Sequence, residues 1–217
     1  MNVNLVGVGA GYSYVVSGPT HQCYEDISLM RAIPNMHVLS LADQRTAENM
    51  PTYCLQRSWP KYLRLDAQVL PILYAHALPR LDDGYHVHRK GEKICLLATG
   101  YMVHTALNVA EAVAQMGIEL GVIDLFDLSR FDKSRLNAEL TRYKVVVTME
   151  EGFSGRGGMD SMMFNHVSTH KLNLQIVNIG VECGYRFEIG ERHVLHEQVG
   201  LGVQSIIEKI RLLNSTL

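Results

Sequence analysis

A chain of 217 residues, 47% apolar and 19% charged, is long enough for one or two domains with a sizeable core. Its formal net charge of −2, with the ten histidines uncounted, leaves no basic surplus for nucleic-acid binding by bulk electrostatics. No apolar run reaches membrane-spanning length, and the start MNVNLVGVG lacks the basic residues and cleavage site of a secretory leader. The cysteines Cys23, Cys54, Cys95 and Cys183 are widely spaced with no C-x-x-C, so reduced, buried thiols in a cytoplasmic protein are expected.

In chain order, VNLVGVG (3–9) is a short apolar run closed by glycine, which predicts a buried strand. A loop follows, and a helix is expected from a Thr20 cap, with Ile27, Met30 and Ile33 at helical spacing and Pro34 ending it. MHVLSLAD reads as a strand. Asp43 opens a helical stretch that Pro51 is expected to break or kink, and KYLRL (61–65) reads as a short strand. The polar, turn-rich segment 79–92 marks the main boundary as a linker or solvated hairpin between units at 1–78 and 93–217. Period-two spacing places His86 and His88 on one face of a short strand. Beyond it, KICLLAT, ELGVIDL, KVVVTME and LQIVNIG alternate with four helical segments, the pattern of a doubly wound, mostly parallel α/β unit.

Taken singly, the candidates for chemistry are modest. His21 sits in a glycine-proline turn, where an imidazole can act as acid or base or simply bond the backbone. Arg64 is a lone cation in an apolar stretch and needs an anion, either a structural carboxylate such as Asp66 or a substrate phosphate. Arg31 falls in the last turn of its helix, where a cation suits the dipole. In MEEGFSGRGGMDS (149–161), two acids precede a glycine-rich loop that lacks both dinucleotide and P-loop spacing. Glu150 and Glu151 can be general bases, can cap the next helix, or can pair with Arg156. His193 and His196 lack an evident third ligand, and no metal site is assigned.

In combination the motifs are more specific. The run SGPTHQCYEDISLMRAIPNMHVLSLAD resembles the pyrimidine-binding domain of the transketolase family, which includes deoxyxylulose-phosphate synthase. ICLLATGYMVHTALNVAEAVAQMGIELGVIDLFDLSRFD, VVVTMEEGFSGRGGMDS and HEQVGLGVQSIIEKI resemble the family's C-terminal domain, in the right order. The resemblance implies an α/β protein: part of a pyrimidine-binding domain followed by the C-terminal domain. It also implies thiamine diphosphate and Mg2+ as cofactors, with transfer of a two-carbon ketol unit between sugar phosphates.

Carried over residue by residue, the family's substrate-facing histidine falls at His21 and its phosphate-binding arginine at Arg64. The position that is usually Asp and bonds a substrate hydroxyl is Ser17. A second family histidine falls at Gly9, so that contact is missing. The glutamate and aromatic residues that hold the cofactor's aminopyrimidine belong to the half-domain that precedes the G-P-T-H motif, and no counterpart is found here. The resemblance therefore implies the C-terminal subunit or fragment of a split transketolase. A partner chain would carry the thiamine-diphosphate domain, the assembly would be a homo- or hetero-oligomer, and this chain alone would bind no cofactor tightly. A non-catalytic dimerisation or regulatory module, or part of a synthase-like enzyme, are the alternatives.

Overall fold

The structure is a computed structural model that describes residues 2–217. Its first unit is a three-stranded parallel sheet, β1 (Asn4–Val8), β2 (His37–Ser40) and β3 (Lys61–Leu65), in the order β1-β3-β2. Helix α1 (Asp26–Ala32) joins β1 to β2, and α2 (Gln44–Leu55) joins β2 to β3. Asp43 caps α2, its carboxylate accepting the Thr46 N–H at 2.9 Å. The helix runs on through Pro51 because Met50, Tyr53 and Cys54 are buried against Leu39 and Leu63, and that packing offsets the lost backbone bond.

Two expectations for this unit differ from the structure. β1 is not buried: it is the open edge of the sheet, and Val6 and Val8 are 57% and 56% exposed. No helix starts at Thr20. Gly18–Thr20 form one 3-10 turn, and α1 begins only at Asp26 because the chain between Gly11 and Cys23 is pinned into a loop by a two-bond bridge between those residues.

The second unit contains β4 (His86–Arg89), β5 (Ile94–Ala98), β6 (Gly121–Asp124), β7 (Val145–Phe153) and β8 (Gln175–Val181), in the order β4-β6-β5-β7-β8. All pairs are parallel except β4 with β6. The segment expected to be a solvated linker thus supplies a strand to this sheet. Its histidines do share a face, with ring centroids 4.8 Å apart, but they pack against Tyr74 rather than standing in solvent.

The helices are α3 (Met102–Ala114), α4 (Lys133–Leu140), α5 (Met159–Thr169), α6 (Arg192–Gln198) and α7 (Val203–Ser215). Central strands covered on both faces read as continuous apolar runs, and β5 shows why. Ile94, Leu96 and Ala98 join the core under α3 and α7, with Val109, Ile206 and Ile210. Cys95 and Leu97 point the other way, to Leu136 and Leu140 of α4 and Met163 of α5. Cys54 and Cys95 are buried, but Cys23 is only half-buried and Cys183 is exposed; all four are free thiols.

Backbone bonds join the two units. Ser40 N donates to Phe126 O at 2.8 Å and Leu128 N donates to Val38 O at 2.9 Å, so β2 is continued by the segment after β6. Buried His37 bonds Asp127 through Nε2 and accepts the Trp59 indole N–H on Nδ1 at 2.6 Å.

Candidate functional site

The loop after β1 carries His21 and Ser17. His21 is exposed; its Nδ1 lies 2.9 Å from Thr20 Oγ1, and its ring meets the edge of Tyr14 at 5.9 Å. Ser17 is half-buried; its backbone N–H donates to Tyr14 O and its carbonyl accepts the Thr20 hydroxyl, which leaves its own hydroxyl without a protein partner among the described residues. The loop 183–190 lies alongside, with Gly190 N bonded to Val15 O at 3.2 Å. Ile189 lies beside Gly18 of the same loop, and Val16, Phe187 and Ile189 are 74%, 77% and 63% exposed.

Gly9 explains why no histidine stands there. Its φ of +110° is the left-handed region, and a Cβ would run into the Tyr14 ring. Tyr14, the ring that flanks His21, occupies the space a side chain at position 9 would need.

Arg64 is not at this surface. It is 2% exposed, and its Nε donates to Asp26 Oδ2 at 2.7 Å while Nη2 donates to Glu151 O at 3.1 Å and Cys23 O at 3.4 Å. Tyr62 donates its hydroxyl to the same Asp26 oxygen at 2.9 Å. Burial works to lower the Arg64 pKa, but the Asp26 and Glu151 charges more than offset it and hold the guanidinium charged. Nε and Nη2 of Arg64 thus tie β3 to the loop and to β7, while its Nη1 has no protein acceptor among the described residues. Its carboxylate is Asp26, not Asp66.

Beneath the loop lies a charge cluster that sequence reasoning did not assemble. Glu151, at the end of β7, is buried and accepts Tyr12 N–H, both Nε and Nη2 of Arg192 (3.0 and 2.7 Å), and His196 Nε2 (2.7 Å). Gly11, at φ +54°, lets the loop backbone reach this carboxylate, since a Cβ there would overlap it. Arg192 also lies 2.7 Å from Asp66 and stacks over the Tyr101 ring at 3.6 Å. Burial alone would raise the Glu151 carboxyl, but Arg192 and His196 hold it well below the usual range.

Glu150 faces the other way and caps α5, accepting Met159 N at 3.0 Å and Asp160 N at 2.8 Å. Burial outweighs those bonds and pushes its pKa up to about 7. Neither acid pairs with Arg156, which reaches Cys183 Sγ instead. The doubled acid was visible in the sequence, but its partners Arg192 and His196 lie on a helix about forty residues further on, and no spacing pairs them with Glu151.

A parallel sheet joined to a doubly wound α/β unit, with an exposed histidine loop over a buried carboxylate–guanidinium cluster, defines a two-domain α/β protein of the kind that builds sites from several loops. Family comparison makes this specific. The transketolase C-terminal domain matches residues 84–206 and the transketolase pyrimidine-binding domain matches residues 1–71. The chain belongs to the transketolase family.

It is 27% identical over 213 residues to one of the subunits of the apulose-4-phosphate transketolase of Actinobacillus succinogenes, covering 98% of this chain and 68% of that protein. It is 30% identical over 172 residues to a 1-deoxy-D-xylulose-5-phosphate synthase of Parasynechococcus marenigrum, covering 76% of this chain and 26% of that enzyme. Among solved structures, a split-gene transketolase described as an inactive beta4 tetramer superposes with a TM-score of 0.82 at 26% identity, over 97% of this chain and 66% of that one. The chain thus spans about two thirds of the split-subunit relatives and about a quarter of the synthase. Among the described residues no helix is long and apolar enough to cross a membrane.

Proposed function

We propose that this chain is the C-terminal part of a split, thiamine-diphosphate-dependent transketolase that acts on sugar phosphates in the cytoplasm within a homo- or hetero-oligomer. Neither nucleic acid nor membrane is part of this reading. The observation that carries it is the setting of His21: an exposed side chain on a loop where Val16 and the adjoining Ile189 are also exposed, in a unit whose sheet ends in the open edge of β1. A catalytic loop with such a rim is one wall of a site whose other wall is supplied by further protein. The family membership and the likeness to a split-gene transketolase support the same reading.

In this assembly His21 is the catalytic residue that meets the substrate, able to donate or accept a hydrogen bond at the reacting oxygen. The free hydroxyl of Ser17 binds a substrate hydroxyl. Arg64 holds the loop floor through Nε and Nη2, and its remaining Nη1 is the group left for a substrate phosphate. This reading assigns thiamine diphosphate and Mg2+ to the completed complex, on a partner chain carrying that domain; the buried acids near the loop are already engaged by Arg192, His196 and the α5 backbone.

The test is reconstitution. The chain alone should show neither ketose turnover nor tight thiamine-diphosphate binding, and mixing it with the cofactor-domain chain should restore both. Tight cofactor binding by the lone chain, or a stable but inactive complex, contradicts the reading; the second result would mark a non-catalytic module. Because relatives include 1-deoxy-D-xylulose-5-phosphate synthases, pyruvate is assayed beside ketose phosphates as donor.

A further inference from the structure

At the opposite end of α1 from His21, the two units line a solvent-open cavity of about 610 Å³. That volume suits a small organic ligand. Its charge is one-sided. Arg31, Arg130 and Lys133 line it beside the imidazoles of His166 and His170, and no carboxylate does, although acids outnumber lysine and arginine in the chain, 22 to 20. We infer that this interdomain cavity is a binding site for a phosphate-bearing small molecule.

The basic groups are arranged rather than scattered. Arg31 donates Nη1 to the carbonyls of Gly157 and Gly158, which fixes the guanidinium across the domain junction, and its other N–H groups have no protein acceptor among the described residues. Lys133 stands exposed in the first turn of α4. Arg130 stacks on Trp59 at 4.1 Å. The two imidazoles stack on each other at 4.2 Å. His166 bonds Asn137 Oδ1 through Nε2 at 2.6 Å, and His170 directs Nδ1 to the His166 carbonyl at 2.9 Å, so each ring keeps one nitrogen for a ligand.

Phe131 meets the His166 ring edge-on at 5.3 Å and supplies an apolar wall for the ligand's carbon skeleton. Burial, with His170 and Lys133 nearby, pushes His166 down to about 4, so near neutral pH its ring offers a ligand a hydrogen bond rather than a charge. Two planar guanidinium groups and an ammonium lining one cavity are the donor set for phosphate oxygens.

The experiment is titration calorimetry on the full chain with ATP, ribose 5-phosphate and inorganic phosphate, with histidine ring resonances followed by NMR. Saturable binding of one ester is expected, with shifts confined to the His166 and His170 rings. Tighter ATP identifies a nucleotide ligand, and tighter ribose 5-phosphate a sugar phosphate. The exposed-site variants Lys133→Glu and His170→Gln keep the fold and should each weaken binding by about tenfold or more. No saturation below about 10 mM, affinity unchanged in both variants, or esters binding no better than inorganic phosphate would each overturn the assignment.

Discussion

Arg192 grips both oxygens of Glu151, Nε to Oε1 at 3.0 Å and Nη2 to Oε2 at 2.7 Å, while its remaining Nη1 lies 2.7 Å from Asp66. One side chain of α6 thereby joins the end of β7 to the segment after β3, and the two units share a buried ionic hinge point directly under the His21 loop. A guanidinium can do this and an ammonium cannot, because three coplanar donor nitrogens are required.

Removing that guanidinium leaves two buried carboxylates without their counter-charge. Arg192→Met is expected to destabilise the chain by about 3–5 kcal/mol, and Arg192→Lys to recover only part of the loss. The pairing with Glu151→Gln should be non-additive, the double variant losing less than the sum of the singles. Urea unfolding followed by circular dichroism reads all three.

Arg64 carries a structural expectation beside its place at the substrate. Arg64→Leu should lower stability by about 3–5 kcal/mol, since Asp26 is left buried without its counter-charge. A variant that unfolds at the wild-type urea midpoint would contradict that pairing.

Glu150 sets a pH dependence whose sign is fixed by its raised pKa. A carboxyl held near 7 when folded, against about 4.5 unfolded, binds more protons in the native state between those values. Its contribution is complete below about pH 4.5 and is lost as pH rises through 7, with a slope on the order of 1 kcal/mol per pH unit. Glu150→Gln cannot titrate, so the stability difference between wild type and variant should fall steadily from pH 4.5 to pH 7. A flat difference would show that Glu150 is ionised throughout.

His21→Ala separates chemistry from folding. The side chain is exposed and bonded only to its neighbour Thr20, so the urea midpoint should not move. In the reconstituted complex kcat should fall by about 10²-fold or more, the range for a positioned acid–base group. Full turnover by the variant would remove His21 from the reaction.

Much of this was legible in the sequence, for identifiable reasons. The second unit is covered on both faces, so Ile94–Ala98 and Val145–Met149 declare themselves as apolar runs between amphipathic helices. Gly-Pro-Thr-His placed His21 and Ser17 on one loop. The failures share a cause: they depend on contacts distant in sequence. β1 looks like a buried strand until its place at the sheet edge is seen, and the carboxylate beside Arg64 is Asp26 rather than Asp66. His196, set aside as one of many histidines, is a partner of Glu151 only because the chain after β8 returns over the loop.

The most direct measurement is gentle affinity purification of the tagged chain from its native cell, with mass spectrometry of what accompanies it. A stoichiometric partner carrying a thiamine-diphosphate domain, with ketose turnover in the purified complex, is the result predicted here. Recovery of the chain alone as a folded, inactive homo-oligomer would contradict it and leave His21 a feature of the fold.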